Sequence, residues 1–444
     1  MKADALSRVV WRISLPIILA QASESVLHLI DTIFLARVGV TELGAIAVAD
    51  SLLLLFLVVP LALVDGIQIL TARRAGQRRP QAVGAVFNQG FVLVLAVCLA
   101  STVALKLVSP IAARWFVETD AVGAAVDEFL QIAAYGIAFG AASFAYSALL
   151  VSLGRTRVLI PATIVLAATN IVLDYIFIFG RLGAPALGMR GAAVGSVGAE
   201  IAACAFLTIY VWRAIDSSRY EFFRAWTLDR RAVRLLNGVS APIAAQRALE
   251  TLRWLAFFLI LERVSDQALA IANIVYTCYI LFWIPTDGFA ETSCSMVSRF
   301  VGRNQPQRIG DVLRRAVVQA ILVTVPFIMI ALLAPEWFLA AFKPGADVLV
   351  EGAASLRVVA LAMLIVIPGQ IWFAAVSGTG DTAAALGIEL IVTVTMIGAA
   401  YLAAIQFTWP VELVWMSLPA SWLVCLTISY GWIKSGIWKR LEIY

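Results

Sequence analysis

Long, uninterrupted apolar runs constrain the fold of this chain more than any other feature. A helix that crosses a membrane needs about 20 predominantly apolar residues, and runs of that length recur throughout the 444 residues. Twelve runs are predicted to be membrane-spanning helices, called spans one to twelve: 13–36, 44–72, 85–108, 126–152, 158–180, 187–212, 234–261, 268–297, 314–341, 353–377, 384–407 and 411–433. The expected fold is therefore an all-α polytopic membrane protein with twelve transmembrane helices.

The composition excludes several other classes of protein. Apolar residues make up 62% of the chain and charged residues 14%, whereas a typical soluble domain is about 25% charged. Because so few charged residues cannot cover a soluble protein of this size, a soluble enzyme, a nucleic-acid binder and a disordered scaffold are excluded. An outer-membrane barrel is excluded too, since its strands alternate apolar and polar residues over short segments.

Positive charges are distributed unevenly between alternate loops. Most of the 33 lysines and arginines lie near the two termini and in every second loop between the predicted spans. Cytoplasmic loops carry such an excess in membrane proteins. Both termini are therefore expected in the cytoplasm of a bacterial-type inner membrane, and the net charge of +5 needs no nucleic-acid partner to explain it.

An internal repeat is indicated by a motif that returns after a shift of 226 residues. The Arg, Gly, Pro-Gln and Gly residues of 73–84 recur with the same spacing in 299–310, and the same shift pairs Pro16 with Pro242. Because six spans return a chain to its starting side, the halves are expected to be parallel repeats with a binding site at their interface. The predicted parts are an N-terminal six-helix lobe at 1–212, a cytoplasmic linker at 213–233, a C-terminal six-helix lobe at 234–433 and a cytoplasmic tail at 434–444.

Span one carries a narrow polar stripe on one side of its predicted helix. At about 100° per residue, the stripe consists of Gln21, Glu24, His28 and Asp31. Ionisable residues inside a span are costly, and they usually face a cavity or a polar partner. Span five offers that partner, because Asn170 and Asp174 lie one helical turn apart on a shared face.

Asp31, Asn170 and Asp174 form a set of oxygen ligands that could bind Na⁺ or share protons. Residue type alone does not choose between the two ions. Glu24 and His28 are further candidates for this cation-coupling site, His28 because an imidazole readily gains and loses a proton. The alternatives are a structural pair or a helix-end carboxylate for the aspartates, packing for His28 and a position near the membrane surface for Glu24.

The second half of the chain repeats only part of this pattern. Glu250 corresponds to Glu24 at the 226-residue shift, whereas Asp31, Asn170 and Asp174 have no counterpart there. Arg247 and Arg253 lie three residues on either side of Glu250, so an ion pair is the alternative to a functional role. A possible substrate or second-lobe site comprises Glu250, Gln246, Gln21, Trp254, Tyr276 and Trp372. Its aromatic residues could line a cavity for flat cations or simply pack.

Cofactor signals are missing from the sequence. The five cysteines lie scattered in apolar runs without paired spacing, which predicts neither a disulfide frame nor a metal centre. No cofactor is therefore expected beyond a coupling ion. An enzyme is not expected either, because the spans show no repeated Asp-rich metal motif and no nucleophile–base set.

The assembled motifs resemble the multidrug and toxic compound extrusion (MATE) family of antiporters over nearly the whole chain. The resemblance is carried by Leu15-Pro16, Gln21 and Ile30-Asp31-Thr32, by the turn at 73–84 and its copy, by Leu153 to Arg157 leading to Asn170 and Asp174, and by Ser377 to Thr382. It implies two six-helix bundles that form a V, with Asp31, Asn170 and Asp174 in a cation site of the N-terminal lobe. Glu250, eight residues after Pro242, and Asp381 are similar to acidic positions of the NorM branch.

Two departures favour a DinF-like branch with the cation site in the first lobe. Residues 154–156 read Gly-Arg-Thr where the family more often has Gly-Asp-Thr, and two arginines flank Glu250. The function that the resemblance implies is secondary active multidrug export. H⁺ or Na⁺ would move inward in exchange for amphipathic organic compounds, often cations, moving outward by alternating access.

The expected partners are small amphipathic substrates and membrane lipids, with no nucleic acid and with the chain as a monomer. A flippase for lipid-linked precursors, from the same superfamily, is the alternative function. A flippase would need a cavity rich in arginine to hold pyrophosphate, and Arg247, Arg253 and Arg357 lie inside predicted spans.

Overall fold

The regular structure of the chain is helical throughout the part that the structure describes. The computed structural model describes residues 3–116, 119–222, 229–342 and 346–440. In hydrocarbon every backbone N–H and C=O group must be bonded within the protein, which is why continuous apolar runs fold as helices. Residues 223–228 of the predicted linker and 441–444 of the predicted tail lie outside the described residues.

The first half of the chain contains the helices α1 to α8. They are α1 Ala3–Ala36, α2 Val40–Gly76, α3 Pro80–Phe116, α4 Asp120–Ala133, α5 Gly136–Leu153, α6 Leu159–Phe179, α7 Met189–Ala214 and the short α8 Ser217–Tyr220. A 3₁₀ turn at Thr156–Val158 leads directly into α6. This turn includes the threonine of the Gly-Arg-Thr sequence, after Gly154 has ended α5 in the left-handed conformation.

The second half contains α9 to α16. They are α9 Arg230–Glu262, α10 Asp266–Gly302, α11 Ile309–Leu333, α12 Glu336–Leu339, α13 Ala346–Gly378, α14 Thr382–Tyr401, α15 Val411–Val414 and α16 Ser417–Ser435. The repeated loop motif again leads into a long helix, here through a 3₁₀ turn at Pro306–Arg308. A π-helical turn at Leu402–Gln406 extends α14.

The predicted spans correspond to these long helices. Among the described residues, eleven helical segments are long and apolar enough to cross a membrane. The remaining span is α9, which is long enough at 33 residues but carries Arg247, Glu250 and Arg253 among its apolar residues. Predicted span four is divided between α4 and α5, because the N–H of Tyr135 bonds the carbonyl of Ile132 in a tighter, 3₁₀-type turn.

Two compact units are defined by the contacts within the chain. The first unit is Leu19–Ala244, and the second unit comprises Met1–Ile18 together with Ala245–Tyr444. The boundaries therefore fall inside α1 and α9, two residues after Pro16 and two residues after Pro242. The two lobes predicted from the repeat, 1–212 and 234–433, divide the chain in sequence order instead. That division remains a prediction.

Polar contacts fix the beginning of α1 within the second unit. Ser14 donates a hydrogen bond to the hydroxyl of Thr292 at 2.9 Å, and both side chains are fully buried. Gln319 donates to the carbonyl and hydroxyl oxygens of Ser7 at 3.0 and 2.6 Å. In an apolar bundle such bonds hold helices together, because the alternative is an unsatisfied polar group in hydrocarbon.

Close backbone packing at Gly84 is a feature of the first unit alone. A Cβ atom built on Gly84 would overlap with the carbonyl group of Tyr220 in α8, whereas one built on the repeat-related Gly310 would meet nothing within 4 Å. Backbone atoms cannot move aside as the tip of a side chain can. The glycine of the repeated motif is therefore required in the first copy and dispensable in the second.

Gly84→Ala is expected to destabilise the purified protein, because the new methyl group must push α8 away from α3. Overpacking of this kind costs about 1–3 kcal/mol. Gly310→Ala is the matched control and should leave stability equal or slightly higher, since alanine favours a helix over glycine by up to about 1 kcal/mol. Thermal unfolding in detergent measures both variants, and equal Tm values for the two would contradict the packing argument.

Candidate cation site

The polar stripe of α1 lies largely within the first unit. Gln21, Glu24 and Asp31 are half-buried, and His28 is exposed. The stripe does not converge on a single point, because its acids face different helices. Glu24 lies within electrostatic reach of Glu200 in α7, whereas Asp31, two helical turns further on, faces Asp174 in α6.

The structure brings Asp31 against Asp174, and Asn170 lies one helical turn before Asp174 on α6. Asn170 and Asp174 are 2% and 0% exposed on the inner face of α6. The carboxyl group of Asp31 interacts directly with that of Asp174. His28, one turn before Asp31, lies within electrostatic reach of the Asp31 carboxylate.

Four of the five side-chain oxygens of this trio lack a hydrogen-bond donor in the part of the chain that the structure describes. Among the described residues, no partner bonds Asp31 Oδ1, Asn170 Oδ1 or either carboxylate oxygen of Asp174, and all four atoms are buried. Two ionised carboxylates cannot bond each other, because both only accept. Buried carboxylates must be paired, protonated or bound to a cation. The trio therefore fits a proton shared between the aspartates, or a Na⁺ ion held by carboxylate and amide oxygens.

Close packing of α6 against α7 places Asp174 in this position. A Cβ atom on Gly195 would overlap with Asp174 Oδ1, and one on Gly191 would overlap with the backbone of Phe177. Glycines one turn apart let two membrane helices approach closely. Gly195 thus leaves the space that the Asp174 carboxylate occupies.

Asp50 and Glu200 are acidic residues near this stripe that the sequence analysis did not select. Asp50 of α2 is half-buried and lies within electrostatic reach of both Asp31 and His28. Glu200 of α7 lies within reach of Glu24. Both are ionisable residues inside predicted spans, so the rule that selected Asp31 would have selected them as well.

In the second unit, Glu250 belongs to a cluster with Arg253 and Glu389. Arg253 of α9 forms an ion pair with Glu389 of α14, and both side chains are buried. Its other nitrogen, Nη2, lies 4.0 Å from Glu250 Oε1. The contact between Glu250 and Arg253 is therefore loose, and a functional role for Glu250 remains a prediction. Glu389, a buried glutamate inside predicted span eleven, is the partner that the sequence analysis missed.

The remaining predicted residues of the second unit fall into separate places. Gln246 is buried and donates a hydrogen bond to the carbonyl of Thr382 at 3.0 Å. The rings of Trp254 and Tyr276 lie 4.5 Å apart beside the Glu250 cluster. Trp372 instead packs against Tyr430, with ring centroids 4.8 Å apart. Gln21 belongs to the first unit, so this set does not form one site within either unit.

A conventional metal centre finds no support in the part of the chain that the structure describes. No group of three His, Cys, Asp or Glu side chains there could hold a metal ion. The set of Asp31, Asn170 and Asp174 in the first unit differs from such a group because Asn170 contributes an amide oxygen. Weakly bound Na⁺ or a proton suits such a set better than a tightly held transition metal does.

Comparison with known families matches both halves of the chain. The family model described as MatE matches residues 16–176 and again residues 242–402. The two matches are offset by the same 226 residues as the repeated loop motif. The internal repeat predicted from that motif is thereby confirmed.

Individual relatives agree with this match. A probable multidrug resistance protein NorM of Synechocystis sp. is 24% identical over 74% of this chain and 70% of its own length. One of Thermotoga maritima is 21% identical over 97% of this chain and 93% of its own length. A crystal structure of MATE in complex with MaL6 has the same fold, with a TM-score of 0.89 at 17% identity over 97% of this chain and 96% of that chain. The predicted all-α fold with two six-helix repeats is confirmed.

Gly195→Ala is expected to lower the stability of the purified protein, because the methyl group displaces the Asp174 carboxylate or separates α6 from α7. Gly198→Ala is the matched control on the same helix, since a Cβ atom there meets only the flexible tip of Leu173. Thermal unfolding in detergent compares the two variants. A Tm of Gly195→Ala as high as that of Gly198→Ala would show that the close approach is not required.

Proposed function

This chain belongs to the MatE family, and on that premise we propose that it is a secondary active multidrug exporter. It exchanges H⁺ or Na⁺, moving inward, for amphipathic organic compounds, often cations, moving outward by alternating access. Relatives named as multidrug resistance proteins support the substrate class. The observation that carries the coupling step is the pair of facing carboxylates, Asp31 and Asp174, three of whose oxygens are buried and receive no hydrogen bond from any described residue.

Charge at this pair can decide between two conformations. Two like charges about 4 Å apart repel by roughly 4 kcal/mol at an effective dielectric constant near 20. Reversing a two-state population from 1:99 to 99:1 takes about 5.5 kcal/mol. Neutralising one charge by a proton, or bridging both with Na⁺, therefore supplies most of the required bias. The cation favours whichever state holds the carboxylates closer, because a ligand acts only through its differential affinity for the two states.

The same proposal includes location and partners. The long apolar helices support a multi-pass membrane protein. We place it in a bacterial-type inner membrane with both termini in the cytoplasm, on the strength of the unequal loop charges. It acts there as a monomer on small amphipathic molecules, in contact with membrane lipids.

The contacts of Arg253 and Arg357 argue against the flippase alternative. Arg253 is buried in its ion pair with Glu389. Arg357 donates from Nε to the carbonyl of Leu332 at 3.2 Å. Two of the three arginines that would have to bind a pyrophosphate are thus engaged within the second unit. Expression that raises host resistance to ethidium favours the exporter, whereas complementation of a lipid-precursor export defect favours the flippase.

Asp31→Asn is expected to abolish gradient-driven export in liposomes. The substitution removes one of the two facing charges and supplies a donor to Asp174, so the pair no longer needs a cation. Proton and sodium gradients are imposed separately, and ethidium efflux is followed by fluorescence. The gradient that drives the wild-type protein identifies the coupling ion.

The matched control for this test is Asp216→Asn. Asp216 caps the exposed helix α8 by accepting hydrogen bonds from the N–H groups of Ser218 and Arg219, and asparagine caps a helix equally well. This variant should transport as the wild type does. Undiminished gradient-driven efflux by Asp31→Asn would contradict the proposed coupling role.

A further inference from the structure

Arg253 contacts two glutamates of unequal exposure in the second unit. Its Nη1 pairs directly with Glu389 Oε1, and the two side chains are 4% and 7% exposed. Its Nη2 lies 4.0 Å from Glu250 Oε1, and the Glu250 side chain is 46% exposed. A separation of 4.0 Å is beyond hydrogen-bonding distance. Arg253 therefore forms its strong, charge-assisted hydrogen bond with Glu389. Its contact with Glu250 is weak.

Glu389 is held in place for this pairing. It accepts a second, long hydrogen bond from the hydroxyl of Thr393 at 3.5 Å, one turn further along α14. Breaking a buried pair by removing one partner leaves an uncompensated charge, which then takes the nearest opposite charge. For Arg253 without Glu389, the nearest carboxylate is Glu250, one turn earlier on the same helix α9.

The charges of this cluster do not cancel. A guanidinium stays protonated in proteins, so Arg253 balances one of its two glutamates. Because Glu389 is buried and directly bonded, the negative charge that Arg253 leaves unbalanced resides on the more exposed Glu250. Removal of Glu389 would instead leave Arg253 and Glu250 as a neutral pair.

Aromatic rings lie near the exposed carboxylate of Glu250. Tyr276 lies within electrostatic reach of Glu250, and its ring packs against Trp254 with centroids 4.5 Å apart. The ring of Tyr279 lies 5.4 Å from that of Trp254 and 6.2 Å from that of Tyr276, so the three rings form one cluster. A carboxylate beside tyrosine and tryptophan rings has the chemistry that recognises an organic cation, through charge and through the faces of the rings.

We propose that Glu389 is a specificity-determining residue of the second unit, because by engaging Arg253 it leaves the Glu250 carboxylate available to the positive group of an organic cation. Glu389 does not contact the substrate; it acts through Arg253. The inference rests on the proposed export function and adds to it a reason for cation preference. It follows that, when Glu389 is removed, Arg253 pairs with Glu250 and weakens the binding of an organic cation there.

The test is a mutant cycle read by binding to the purified protein rather than by transport. Ethidium is the cationic probe, and N-phenylnaphthylamine is the uncharged one, each followed by fluorescence. Glu389→Gln should weaken ethidium binding about tenfold or more, equivalent to about 1.4 kcal/mol per factor of ten. Arg253→Gln combined with Glu389→Gln should restore it to within about threefold of the wild type, whereas binding of the uncharged probe should stay constant throughout.

Recovery in the double variant separates this role from a merely structural one. Ethidium binding by Glu389→Gln equal to that of the wild type overturns the inference, and so does a double variant no better than Glu389→Gln. If Glu389→Gln is too unstable to purify, the double variant is compared with a triple variant that adds Glu250→Gln. Binding that depends on Glu250 then supports the inference, and an inactive double variant overturns it. A wild-type protein that binds neither probe overturns the proposed export function itself.

Discussion

Electrostatic repulsion between two carboxylates inside an apolar helical bundle is the constraint on which this account depends. Asp31 and Asp174 face each other inside the bundle. No described residue donates a hydrogen bond to Asp31 Oδ1 or to either carboxylate oxygen of Asp174, and these atoms are buried. Charged groups in such surroundings are costly unless they are neutralised. In the proposed function a proton or a small cation supplies this neutralisation, and its arrival or departure changes which packing of α1 and α6 is favoured.

In the second unit a buried carboxylate is neutralised by a positively charged side chain of the protein itself. Arg253 neutralises Glu389 from within the protein, so this cluster needs no exchangeable ion to be stable. The repeat thus supplies two related bundles with different electrostatics. Under the proposed function one bundle depends on a mobile cation, and the other presents a single carboxylate, Glu250, beside aromatic rings. That division suits an exchanger in which a small ion and an organic cation must be distinguished.

Sequence patterns predicted the helices and the polar faces of α1 and α6 because both follow from local periodicity, whereas the pairing of these two faces was implied by the family resemblance. Apolar run length sets the spans, and the four-residue spacing places Asn170 and Asp174 on one face. Long-range pairings were beyond reach, since no local pattern shows that Arg253 of α9 meets Glu389 of α14 or that Asp50 of α2 approaches Asp31. The contact boundaries inside α1 and α9 were hidden for the same reason, because each helix is continuous in sequence and in backbone bonding.

Cation binding to the purified protein reports the state of the Asp31 and Asp174 pair without any transport step. Equilibrium binding of radioactive sodium and proton uptake are measured on the same preparation over a range of pH, for the wild type and for Asp174→Asn. The account predicts one exchangeable cation per wild-type chain, either Na⁺ displaced by protons or a proton alone, and its loss in the variant. Identical sodium binding and proton uptake by the two proteins would contradict it.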